Sequence, residues 1–228
     1  MLYAIGDLHL SLEADKPMDV FGPGWENHTE RLKEGFSNLT DDDTTVICGD
    51  ISWSMSIEKA LLDFKFIDAL PGRKIVLKGN HDYWWTTAAK AYKFFENNDI
   101  KSIDILNNNC YFYGDTAICG TRGWFYEEET HTEHDRKIMN RELTRLELSL
   151  KAAGNAEHKL CFFHYPPRYG EYVCGDIIRI MEKYGVKACW YGHIHGPGIK
   201  LARIGNIAGI EYSMVSADYV DFKPVSII

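Results

Sequence analysis

Five short apolar runs in this chain each end in a polar motif, and that recurring junction limits the possible folds more than any other feature. Leu2–Ile5 leads into Gly6-Asp7-Leu8-His9, residues 46–48 into Gly49-Asp50, and residues 75–77 into Gly79-Asn80-His81-Asp82. Residues 161–163 lead into His164, and residues 189–191 into Gly192-His193-Ile194-His195. Apolar runs this short, bounded by turn residues, read as buried strands. In open α/β sheets, ligand-binding groups gather beyond the carboxyl ends of parallel strands. Five polar motifs at five strand ends can therefore converge on one cleft. Residues i and i+2 of extended backbone share a side, which pairs Asp7 with His9 and His193 with His195.

The stretches between these runs support the same class. Ile57, Ala60, Leu61, Phe64 and Ile67 mark one face of a helix that Pro71-Gly72 ends, and a second helix is expected over about 86–97. Strand, helix and strand in that rhythm predict parallel βαβ units. Residues 102–106, 110–113 and 116–119 read as antiparallel strands, turning at 107–109 and at Gly114-Asp115. Met139, Leu143, Leu146 and Leu150 form one apolar stripe of a long helix, read as core packing. Two more strands, 159–163 and 187–191, flank a helix near 176–184. A terminal antiparallel hairpin is expected around a Gly205-Asn206 turn. The expectation is one α/β domain over residues 1–228, with a cap-like insertion at about 121–150.

A chain of 228 residues suits one such domain. Its net charge of -8 argues against a dedicated nucleic-acid binder. A nucleotide substrate stays open, because bound cations reverse a local potential. The start runs from Met1 straight into a strand with no signal-like leader, and no apolar run nears the ~20 residues of a membrane span. A cytoplasmic protein without a membrane partner is expected. Cys48, Cys119, Cys161 and Cys189 fall inside apolar runs and no C-x-x-C pair exists, so the cysteines, with Cys110 and Cys174, are expected as free thiols.

Two aspartates, one asparagine and four histidines are enough to hold two metal ions, and such ligands suit Mn, Fe, Zn or a similar divalent cation. In their order, from Asp7 to His195, the motifs resemble those of the calcineurin-like metallophosphoesterase superfamily; Gly79-Asn80-His81-Asp82 is the most specific of them. The resemblance implies a four-layer α/β/β/α sandwich of two packed mixed β-sheets flanked by helices. It implies that Asp7, His9, Asp50 and His195 bind one ion and that Asp50, Asn80, His164 and His193 bind the other, with Asp50 bridging. It further implies hydrolysis of phosphomonoesters or phosphodiesters by a metal-bridging hydroxide, with a protonated His81 aimed at the leaving oxygen. Asp82 is expected to brace the motif through hydrogen bonds.

Two departures weaken a phosphoprotein-phosphatase reading. Trp53 and Ser54 stand where that branch of the family carries an aspartate supporting the histidine and a substrate arginine. Arg122 and Arg168 are the candidates for substrate binding. Trp53, Tyr83, Trp84, Trp85 and Trp124 either wall the site or fill space between loops. A small or nucleotide-like substrate is expected. His28, His131, His134 and His158 read as solvent-facing. Competing readings are a non-catalytic scaffold, whose signature would be degraded motifs, and a nuclease, which would need a basic groove.

Overall fold

Period-two alternation divides each strand between two buried faces, and that division builds the layers. The computed structural model describes residues 1–125 and 132–228. In β1 (Leu2–Ile5), Leu2 and Ala4 face one core while Ile5 faces another. β2 (Thr44–Ile47) separates Val46 from Ile47, and β3 (Arg73–Val76) separates Ile75 from Val76, in the same sense. These strands pair in parallel, and α1 (His28–Phe36) and α2 (Leu61–Ala69) lie in the crossovers between them. α3 (Ala88–Asn97), capped by the Thr87 side chain, leads on to β4 (Ile103–Ile105). Together with the edge strand β13 (Val225–Ser226), the first sheet runs β13-β1-β2-β3-β4.

The second sheet takes β5 (Tyr111–Tyr113), β6 (Thr116–Thr121), β7 (His158–Phe163), β10 (Ala188–Tyr191), β11 (Gly205–Ile207) and β12 (Ile210–Met214), in the order β11-β12-β10-β7-β6-β5. β8 (Arg168–Tyr169) and β9 (Tyr172–Val173) pair as a separate small ribbon. Val46, Cys48, Ile75, Phe162 and Trp190 fill the space between the two sheets. The helices α4 (Glu133–Ala152) and α5 (Gly175–Lys183) pack on the outer face of the second sheet, against Cys161, Phe163, Cys189 and Tyr191. The fold is thus two mixed sheets flanked by helices, as the resemblance implied.

Some expectations are corrected. Residues 102–106 do not turn back as an antiparallel strand: β4 pairs in parallel with β3, Val76 opposite Ile105. Asn107–Asn109 carry the chain across to the second sheet instead, with the Asn109 side chain accepting from Asn107 N (2.7 Å) and donating to Ile105 O (3.1 Å). The terminal hairpin turns at Ala208-Gly209, both at positive φ (54° and 86°), as a tight hairpin turn requires, and Gly205 belongs to β11. α1 was not anticipated, because it offers only Leu32 and Phe36 as a buried apolar pair. His28, at its start, is buried between the Trp25 and Phe222 rings and not solvent-facing. His134 and His158 are exposed, and His131 lies outside the described residues.

Of the expected cap, residues 126–131 lie outside the described residues. α4 packs on β6 and buries Met139, Leu146 and Leu150; a capping box between Thr132 and Asp135 sets its start. All six cysteines are free. No helix among the described residues is long and apolar enough to cross a membrane.

Gly35 explains how the C-terminal loop is held. It lies in α1, and a Cβ there would collide with the carbonyl oxygen of Phe222. Replacing a mid-helix glycine by alanine ordinarily gains about 1 kcal/mol. Gly35→Ala is expected to lose at least about that amount instead, because the overlap must be relieved. The midpoint of urea unfolding checks the sign.

Candidate metal centre

The polar motifs do converge, and they do so at the seam between the two sheets. Asp7 ends β1 of the first sheet, and His193 follows β10 of the second. The backbone N–H of His193 donates to both carboxylate oxygens of Asp7 (3.1 and 2.9 Å). His164, after β7, bonds in the reverse direction, from its Nδ1 to Cys48 O at 3.0 Å. Asp7, His9, Asp50 and His193 all adopt positive φ, 59°, 46°, 49° and 73°. That region costs an L-residue about 1–2 kcal/mol, and such strain persists only where the surroundings hold it. Here the close packing of backbones does so. A Cβ on Gly79 would overlap Oδ1 of Asp50, and one on Gly192 would strike the Asp7 carboxylate. These two glycines let the carboxylates sit against neighbouring main chain.

Ligating atoms of Asp7, His9 and His195 lie within 4.8 Å of one another, and so do those of Asp7, Asp50 and His164. Asp50 Oδ2 stands between His9 Nε2 (3.7 Å) and His164 Nε2 (3.6 Å), while its Oδ1 accepts the His81 N–H at 2.8 Å. Asn80 Oδ1 lies 2.6 Å from His164 Nε2 and 3.1 Å from His193 Nδ1. The seven residues singled out from the motifs are therefore brought together.

The donor set fits a divalent cation by its tautomers as well as its composition. Metal-binding histidines normally donate their outer N–H to a carbonyl or carboxylate, leaving the other nitrogen's lone pair turned inward. His164 gives Nδ1 to Cys48 O and turns Nε2 inward. His195 gives Nδ1 to Asp218 Oδ1 at 2.8 Å and turns Nε2 to Asp7 Oδ1 at 3.5 Å. Asp218 is a residue that the sequence reading missed. It follows the last strand of the second sheet by a few residues and belongs to no motif, so no local signal marks it.

Charge tells the same story. Burial lowers His9 and His164, and lowers His193 to about 3, keeping their lone pairs free. Burial raises Asp50 well above the carboxylate range, and the charges of Asp82 and Asp7 push in the same direction. Burial would raise Asp7 too, but the charge of His195 overrides it and holds the carboxyl low. Burial works against His195, yet Asp7 and Asp218 lift it to about 10. The cluster's own field thus favours the charged form of His195 and disfavours the charged form of Asp50; a bound cation would reverse both tendencies.

His81 is positioned by aromatic groups in the absence of the aspartate seen in the protein-phosphatase branch. Trp53 packs on its ring at 4.3 Å, and Tyr83 Oη lies 3.5 Å from Nδ1. Ser54 is buried, its hydroxyl donating to Lys59 O. The protonated state implied by the resemblance is not favoured by the chain's own groups: burial first, then His164 and Lys16, lower His81 to about 4. Asp82 braces the loops as expected, accepting from the N–H groups of Ile51, Ser52 and Gly79 and from Trp84 Nε1.

The aromatic residues divide between the two readings, walling the site and filling space. Trp84 is buried against Phe64, Trp124 packs on Tyr165, and Trp85 lines a separate cleft. Trp53 instead joins Met18, Phe21 and Trp25 around an apolar cavity of about 300 Å³ that opens on His9, His81 and His195. Lys16 Nζ covers the Trp53 ring at 3.4 Å. Arg122 lies beside the centre, its carbonyl accepting from the His164 and Tyr165 N–H groups. Arg168 does not join it: its guanidinium packs on Tyr212, and it contacts no cluster residue among the described ones.

The calcineurin-like phosphoesterase family profile matches residues 2–197. The chain belongs to that family. Membership makes this chain a phosphoesterase by family, and its Asp/His clusters are ones that could hold metal ions. No curated protein is matched in sequence. Among solved structures, an Aquifex aeolicus protein of unknown function is 17% identical with a TM-score of 0.52, over 99% of this chain and 94% of that one. Phosphopantetheinyl hydrolase from Mycobacterium tuberculosis is 14% identical with a TM-score of 0.58, over 94% and 88%. At these identities the likeness is one of fold.

Asp218→Asn should weaken divalent-metal affinity by about 10- to 100-fold, because it removes the carboxylate charge that makes His195 a stronger donor to the ion. Competition with a chelating dye measures this.

Proposed function

We propose that this chain is a dinuclear metal-dependent phosphohydrolase acting on a small phosphoester with an apolar or aromatic leaving group. The observation that carries the reading is the convergence of Asp7, His9, Asp50, Asn80, His164, His193 and His195 on one seam, with the outer nitrogens of His164 and His195 already bonded. Asp7, His9, Asp50 and His195 would hold one ion, Asp50, Asn80, His164 and His193 the other. Two divalent ions, when bound, supply positive charge for the phosphoryl oxygens and lower the pKa of coordinated water. Mn, Fe and Zn suit these ligands.

The remaining work falls to the chain. The cavity beside Trp25 and Trp53 excludes water from one side of the centre and seats the leaving group by its apolar surface. His81 lines that cavity and reaches the leaving oxygen from there. Held neutral by burial, it takes a proton once the negative charge of a phosphoryl group is close, and then donates it to the departing oxygen. Trp53 and Tyr83 fix its ring. Monoester and diester substrates, nucleotides included, meet these requirements.

Asp50→Asn keeps the size of the side chain and an acceptor for the His81 N–H, but removes the charge shared between the two ligand sets. It should abolish turnover of an aryl phosphate with added Mn²⁺, and full activity would overturn the bridging role. His81→Ala should depress turnover more for alkyl than for nitrophenyl leaving groups. Equal losses across a series of leaving-group pKa values would remove the proton-donor role.

A further inference from the structure

Lys78, Arg122 and Arg145 meet in a cleft that the phosphoesterase centre leaves unused. The cleft is small, about 80 Å³, and Trp85 and Asn107 complete its walls. The acid that lines it, Glu142, has a side chain only 1% exposed. One oxygen of Glu142 accepts from Thr121 Oγ1 at 2.5 Å, and the other accepts from Arg145 Nη1 at 2.6 Å with Arg122 Nη2 at 3.4 Å. Its acceptor capacity is therefore engaged within the chain. Arg122 Nε remains buried with no partner, and Lys78 has no ion pair among the described residues. Three cations against one carboxylate leave two positive charges in excess, in a chain whose net charge is -8. A buried donor without a partner is costly, and clustered like charges repel. Both costs are relieved by one bound anion.

The place of the cleft says which anion. Lys78 stands two residues before Asn80, so their Cα atoms are no more than about 7 Å apart. The Arg122 carbonyl accepts the N–H groups of His164 (3.1 Å) and Tyr165 (2.8 Å). Asn80 and His164 are themselves joined at 2.6 Å. The cleft thus adjoins the Asn80 and His164 side of the centre, whereas the apolar cavity opens on the His9 and His195 side.

We propose that this cleft binds a second phosphate group, and that the substrate carries two phosphate groups a few bonds apart, one over the metal centre and one between Lys78 and Arg122. This rests on the phosphohydrolase reading. The cleft is small and its lining is mostly polar, which suits a tetrahedral oxyanion. A guanidinium held by Glu142 offers that oxyanion a fixed fork of donors, and Lys78 adds a mobile point charge.

Two measurements test the proposal separately from the catalytic reading. The first is calorimetric titration of the full chain with inorganic pyrophosphate, in the presence of chelator so that metal plays no part. Wild type should bind, Lys78→Met should bind at least tenfold more weakly, and Lys78→Arg should recover most of the loss. Arg145→Gln, at a half-exposed position, should weaken binding in the same direction. No binding by wild type, or equal binding by all variants, overturns the subsite. The second is the ratio of kcat/KM for adenosine diphosphate over adenosine monophosphate with Mn²⁺ present. Lys78→Met should lower that ratio at least tenfold; an unchanged ratio overturns the proposal. An enzyme that turns over neither nucleotide nor an aryl phosphate removes the phosphohydrolase reading, while the titration still decides whether the cleft takes phosphate.

Discussion

The structure depends on the hydrogen bond from the His193 amide to the Asp7 carboxylate. It joins the segment after β1 to the segment after β10, strands of different sheets. Ordinary sandwich packing brings two sheets face to face through apolar side chains and leaves their ends polar and free. Here the ends are tied, by Asp7 to His193 in one direction and His164 to Cys48 in the other. The same atoms that close the seam are the ones that face the centre of the cluster, so fold and site are one arrangement.

That economy has a cost in strain and charge. Four cluster residues take up left-handed backbone, and two glycines lie so close to carboxylates that no larger residue fits. Several ionisable groups are buried in contact, and their protonation states compensate one another: Asp7 low, Asp50 high, His195 raised by Asp7 and Asp218. A bound cation would offset this frustration by supplying positive charge that otherwise needs protons, and sites under such strain are where function concentrates.

The cluster also divides the protein's surroundings chemically. On one side lie Trp25, Trp53 and an apolar cavity, and on the other Lys78, Arg122 and Arg145 around a single buried acid. Of these residues, the sequence pointed to Trp53 on the first side and Arg122 on the second, and to no other. Trp25 precedes α1, a helix with little periodic signal, and its ring packs on Phe222 and His28 as well as on His9 and His195. Arg145 lies on a long helix whose apolar stripe was visible but whose polar face was not assigned.

What the sequence determined was local: short apolar runs, the polar residues that end them, the apolar faces of α2 and α4, and the places of α3 and α5. These suffice for the α/β class and for the residues that gather, because strand ends in parallel sheets share one edge. Tertiary structure alone decided what depends on contacts distant in the chain. β4 joins the first sheet because β3 offers an open edge in parallel register. Asp218 meets His195 across 23 residues, on the same C-terminal segment whose Phe222 carbonyl lies against Gly35 of α1. His81 is held by Trp53 and Tyr83 because of where two loops pack. Such outcomes are fixed by the fit of whole surfaces, and no short segment carries that information.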